Sequence, residues 1–260
     1  MDLATIIGFF IAWGAFFGSI MLEGGELKAF INISAMVLVF GGTFGATMMS
    51  FPLDAMMKLP QIVKNAFMGG TMDLGKTIQL LVTFAERARR EGLLALEEQA
   101  RDIDDPFLQK GVQLAVDGTD PELVRAILET EIAYVQERHA LGANIFATMG
   151  GFAPTLGVIG TVAGLVHMLA NLSDPGSMGP AIASAFIATL FGVSSANLVF
   201  LPLSNKLKQR SAVEILLREI MLEGILSIQA GDNPRVVEEK LKAFLDPTTR
   251  NKINPQPAEV

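Results

Sequence analysis

The stretch ALGANIFATMGGFAPTLGVIGTVAGLVHMLANLS, from Ala140 to Ser173, contains no Asp, Glu, Lys or Arg. A helix needs about 20 mostly apolar residues to cross a bilayer, and this segment exceeds that length. Residues 3–22, 29–53 and 175–205 are free of those four residue types in the same way. Nineteen of the twenty Lys and Arg lie outside these stretches in two blocks, ten in residues 58–138 and nine in residues 206–252, with Lys28 alone elsewhere. Basic residues accumulate on the cytoplasmic side of membrane proteins. The pattern therefore predicts an all-α polytopic membrane protein with four transmembrane helices, both termini cytoplasmic, a helical cytoplasmic domain, and short outer loops around Glu23–Lys28 and Asp174–Met178.

The domain boundaries follow. Residues 1–53 hold the first two spans, 54–145 a cytoplasmic helical domain, 146–205 the third and fourth spans, and 206–245 further cytoplasmic helices. Residues 246–260, rich in proline and polar side chains, read as a flexible tail. Half the residues are hydrophobic and the mean hydropathy is +0.43, too apolar for an ordinary soluble domain. The net charge of −7 argues against a nucleic-acid partner, and the absence of cysteine excludes disulfide and thiol chemistry. Met1-Asp2 supplies no basic n-region, so the first span reads as a retained helix and not a cleaved signal.

Small residues recur at four-residue spacing within the spans: Gly14 and Gly18, Gly41 and Gly45, Ala153, Gly157 and Thr161, then Ser184, Ala188, Gly192 and Ala196. That spacing puts them on one helix face, where they allow close backbone approach. Packing within the chain accounts for such stripes, and their extent in spans three and four also points to oligomerisation. No span carries a carboxylate, Lys or Arg. Either no charge passes, or another chain supplies the carboxylate. Pro154 and Pro202 bracket spans three and four at their inner ends, where they act as simple helix breaks or as hinges.

The cytoplasmic parts are amphipathic. Leu74, Ile78, Leu81, Val82 and Ala85 predict a helix over 72–90. Asp120-Pro121 opens a helix that runs into span three, span four continues as a cytoplasmic helix, and Asn233-Pro234 opens a last one. Arg87, Arg89 and Arg90 cannot share one helix face, and Gly92 is placed to end the helix there. The cluster is then a solvated tip or an electrostatic docking face. His139 and His167 are far apart, and nothing has metal-ligand spacing or the pattern of a catalytic constellation. No enzyme, cofactor or resident metal is expected.

Residues 153–169, APTLGVIGTVAGLVHML, followed by Asn171-Leu-Ser-Asp-Pro, resemble the MotA/PomA family of flagellar motor stators. So do Gly92-Leu-Leu-Ala-Leu-Glu-Glu, Phe107-Leu-Gln-Lys-Gly, Asp117-Gly-Thr-Asp, Ala188-Thr-Leu-Phe-Gly and Asn233-Pro-Arg-Val. The resemblance covers the whole chain in order and is closest to the PomA branch. It implies an ion-conducting stator subunit in the bacterial inner membrane. Such a subunit forms a homopentamer around a dimer of a MotB/PomB-like single-span partner, which supplies the ion-binding aspartate. Ion flow then drives rotation against FliG of the rotor. It also implies rotor-facing roles for Arg89 and Glu97, with Arg90 and Glu86 beside them, and coupling roles for Pro154 and Pro202. Thr161 and Thr189 match the family's ion pathway, where a hydroxyl suits a hard cation, so Na⁺ is favoured over H⁺. Asn32 departs from the aspartate of the PomA branch. An ExbB/TolQ-type energiser, with three spans, is the nearest rival.

Overall fold

The computed structural model describes residues 3–25, 27–68, 73–170, 175–247 and 250, and among these every regular element is helical. Of the predicted outer loop over residues 174–178, Asp174 lies outside the described residues, and the rest is already helical because Pro175, fixed in φ, opens the helix Pro175–Ser195; most of the 246–260 tail also lies outside the described residues. The chain divides into two compact units, one of residues 1–70 and 139–210, the other of residues 71–138 and 211–260.

Four helices are long and apolar enough to cross a membrane: Leu3–Leu22, Ile33–Ser50, Pro121–Ala170 and Met178–Gln229. The last two extend beyond their apolar portions, as the helix signals at Asp120 and beyond Asn205 predict. The first span buries none of its residues. Trp13 stacks on Phe17 with ring centroids 5.5 Å apart and meets Phe16 edge-on.

The second span starts at Asn32, whose side-chain oxygen accepts a hydrogen bond from the Ala35 N–H at 3.0 Å, an N-cap that satisfies an otherwise orphaned donor. It stops at Ser50 because Phe51 precedes Pro52 and takes the extended conformation such a residue prefers. Ala35, Val39, Thr43 and Thr47, four apart, form its buried face. Two short helices follow, Leu53–Met57 and Leu59–Met68. Ala55, Met56, Leu59 and Ala66 cluster with Ile145, Phe146 and Met149 of the third span helix and Leu203 of the fourth. Residues 54–68 and 139–145 therefore pack with the spans.

The second unit has its own core. The helix Leu74–Glu91 starts two residues later than its periodicity predicts, capped by Asp73, whose carboxylate accepts from the Lys76 N–H at 3.1 Å. Ile78, Leu81 and Phe84 pack with Phe107, Leu108, Val112, Leu128, Ile220 and Ile225. Each such side chain contributes about 1.5–3 kcal/mol on burial. Asp105, Asp120 and Asn233 cap their helices through side-chain oxygens. Arg218 lies 5.0 Å from the Phe107 ring centroid and pairs with Glu214 at 3.1 Å.

Candidate functional site

Spans three and four approach until their backbones touch. A Cβ on Gly157 would lie 2.9 Å from the Ala188 carbonyl oxygen, and one on Gly192 would lie 2.5 Å from that of Ala153. Gly160 and Gly164 face Ala188 and Ala185 in the same way, at 2.7 and 2.8 Å. The stripe of spans three and four is thus used for contact between two spans of one chain, and any larger side chain on it forces them apart; Gly14, Gly18, Gly41 and Gly45 of the first two spans, in contrast, leave room in which an added Cβ would meet nothing within 4 Å.

At that seam the structure brings Thr161 and Thr189 together, hydroxyl to hydroxyl. Thr161 Oγ1 also lies 3.1 Å from the Gly157 carbonyl oxygen of its own helix and 3.0 Å from the Ala185 carbonyl oxygen of the fourth span. Thr189 Oγ1 reaches the Gly157 carbonyl at 3.4 Å. Span threonines commonly bond back to their own helix, and Thr161 does so. Thr189 instead bonds across the seam. The Gly157 and Ala185 carbonyls each also accept a backbone N–H of their own helix, yet with two lone pairs per oxygen and only two hydroxyl protons to share, acceptor capacity remains, and both side chains are half-buried. Such a group can offer oxygen ligands to a hard cation.

Neither proline breaks its helix. Pro154 lies inside Pro121–Ala170. Pro202 is the second residue of Leu201–Gln229, directly after a π-helical turn over Ala196–Phe200. A proline ring clashes with the carbonyl four residues before it. For Pro202 that residue is Leu198, inside the wider turn, which makes room. A second π-helical turn occupies Val37–Gly41 of the second span. Pro180 also lies within its helix, Pro175–Ser195.

Gly92 ends the Leu74–Glu91 helix at φ +87, a conformation that suits glycine. The charged cluster sits at this end. Arg87 pairs with Glu91 at 3.0 Å and Glu97 with Arg101 at 3.1 Å. Glu86, Arg89 and Arg90 are exposed and make no ion pair among the described residues. Exposed pairs are worth at most about 1 kcal/mol, so the cluster is weakly held and open to an incoming partner. His139 and His167 stand 28 positions apart on one helix, on the order of 40 Å at 1.5 Å per residue, too far to share a proton.

Two features escaped the sequence. Asn32 Nδ2 donates to the Ser184 hydroxyl of the fourth span, so the residue ties two spans together while capping one. Its position ahead of an apolar run was a readable cap signal. Thr43 is buried with no hydrogen-bond partner for its hydroxyl among the described residues. It follows the π-helical turn that shifts the carbonyls a helical threonine ordinarily uses, and no residue pattern announces such a turn.

Residues 99–220 match the MotA/TolQ/ExbB proton channel family, and residues 6–92 match the motility protein A N-terminal family. The chain is 39% identical over 254 residues to motility protein A of Borreliella burgdorferi, covering 98% of each. It is 40% identical over 246 residues to the chemotaxis protein PomA of Vibrio alginolyticus, covering 95% of this chain and 96% of that protein. Among solved structures, the flagellar MotAB stator complex from Bacillus subtilis matches at a TM-score of 0.90 and 37% identity, over 96% of this chain and 99% of that one.

Proposed function

The chain belongs to the MotA/PomA family of motility proteins within the MotA/TolQ/ExbB proton channel group, and we propose from that premise how its parts convert ion flow into motion. It is an ion-conducting stator subunit of the bacterial flagellar motor. The observation that carries this is the near-full-length match to the MotAB stator complex. The rival energiser has three spans, whereas this chain has four candidate spans and matches the motility protein A N-terminal family over residues 6–92.

The subunit sits in the inner membrane with both termini cytoplasmic, an orientation supported by the distribution of Lys and Arg. Five copies surround a dimer of a MotB/PomB-like single-span partner. The lack of any carboxylate in the charge-free stretches 3–22, 29–53, 140–173 and 175–205 supports an aspartate supplied by that partner. Na⁺ is the favoured coupling ion. The surplus of oxygen lone pairs at Thr161 and Thr189 supports this, because a partly dehydrated hard cation takes oxygen ligands.

Rotation is passed to FliG of the rotor through Glu86, Arg89, Arg90 and Glu97. Their exposure beside Gly92 supports that role, since charge complementarity sets partner choice. Pro154 and Pro202 couple the spans to the cytoplasmic helices. The protein performs no covalent chemistry and needs no cofactor of its own.

The test is complementation. Expressing the chain with its single-span partner in a swimmer lacking its own stator should restore swimming, and the chain without the partner should not. Restored outer-membrane transport with no swimming would favour the energiser.

A further inference from the structure

We propose that the segment where the chain leaves the second span, residues 49–64, is a seat for the anionic phospholipid surface of the bilayer. Met49 is 90% exposed, Leu53 60% and Met57 64%. Leu53 and Met57 stand one turn apart in the helix after the bend at Pro52, and Met49 lies in the last turn before it. On the segment's other face Met56 and Leu59 are buried and Ile62 and Val63 packed, against Ile145, Phe146, Met149 and Leu203. Lys58 and Lys64 project from this segment, both exposed and neither in an ion pair among the described residues. Asp54 is the sole carboxylate between residues 27 and 72. It sits in the first turn of Leu53–Met57 and makes no ion pair with Lys58 or Lys64 among the described residues.

Exposed methionine and leucine beside unpaired lysines at the end of a spanning helix fit one occupant. The apolar side chains enter the boundary between acyl chains and headgroups, and the ammonium groups meet lipid phosphate. Continuity decides the source of that phosphate. The charge-free stretch 29–53 ends inside this segment, so the seat opens onto the membrane itself and not onto dissolved anions. The seat anchors the inner end of the second span, and through the Leu59–Met68 helix the inner ends of the third and fourth. This goes beyond the motor reading and depends only on the chain crossing a bilayer.

The experiment uses the full chain, with its single-span partner, in nanodiscs of phosphatidylcholine with or without phosphatidylglycerol. Native mass spectrometry counts retained phosphatidylglycerol, and a spin label at Met57→Cys reports depth. Wild type should retain phosphatidylglycerol in preference to phosphatidylcholine. Lys58→Gln/Lys64→Gln should lose on the order of 25-fold in that preference, at about 5-fold per lysine. Lys58→Arg/Lys64→Arg should restore it, and the label should be quenched from the lipid phase. Both lysines are exposed, so these variants keep their fold. Unchanged lipid preference in the Gln variant would overturn the proposal. So would a water-accessible label, Met57→Cys cross-linking to a second copy of the chain, or inorganic phosphate in phosphatidylcholine discs displacing the retained lipid.

Discussion

The hydroxyl of Thr161 on the third span hydrogen-bonds to the hydroxyl of Thr189 on the fourth. Glycine makes this contact possible. Gly157 leaves room for the Ala188 carbonyl and the Thr189 Cα, which an added Cβ would meet at 2.9 and 3.1 Å. The small-residue stripe and the polar pair are therefore one feature. Without the close approach the hydroxyls do not reach each other, and without the hydroxyls the seam is merely apolar.

Ala188→Leu should open that seam. Its Cβ already stands where a Cβ on Gly160 would lie 2.7 Å away, so there is no room for an isobutyl group. Overpacking a tight site costs about 1–3 kcal/mol. The expected outcome is a lower thermal midpoint and loss of monodisperse complex, while Val158→Leu, at a position 53% exposed, should be silent. Normal assembly of Ala188→Leu would mean that the seam tolerates separation.

Arg89→Glu should impair swimming while leaving expression and partner binding intact, because Arg89 is exposed at the end of its helix and holds no ion pair that the fold needs. A charge reversal on the rotor should restore motion if the contact is electrostatic. Normal swimming in Arg89→Glu, Arg90→Glu and Glu97→Lys alike would reduce the cluster to a solvated helix end.

Much of this was legible in advance. The four spans followed from where charge is absent, and the helix starts after Asp120 and Asn233 from side chains that cap their own backbone. Both signals are local. What stayed hidden depends on register between distant segments. Thr161 and Thr189 each carry a hydroxyl in an apolar run, yet nothing in the chain states that a 28-residue separation closes into a hydrogen bond. Asn32 and Ser184, 152 positions apart, were not connected at all. The pairing of Glu97 with Arg101 follows the four-residue spacing that joins opposite charges on one helix face. The π-helical turns in the second and fourth spans carry no residue signature.

Asn32 provides a sharper test of that hidden link. Asn32→Ala removes both the cap on Ala35 and the bond to Ser184, and a lost cap alone costs about 1 kcal/mol. Asn32→Asp keeps an oxygen for the Ala35 N–H and can accept from the Ser184 hydroxyl. Thermal unfolding of the purified complex should show Asn32→Ala well below wild type and Asn32→Asp close to it. Equal midpoints for all three would remove Asn32 from any structural role.

Topology can be checked in intact cells with a membrane-impermeant thiol reagent, since the chain has no native cysteine. A cysteine at Gly25 should label from outside and one at Arg101 should not. Labelling at Arg101 would invert the orientation.

Ion flow past the Thr161–Thr189 pair is proposed to power rotation. This is tested most directly by the speed of single motors as external Na⁺ is withdrawn at constant ionic strength and pH, in wild type and in Thr161→Ala. Wild type should slow to a stop as Na⁺ is removed, and Thr161→Ala should respond weakly or not at all. Undiminished speed in sodium-free medium, with Thr161→Ala indistinguishable from wild type, would contradict the account.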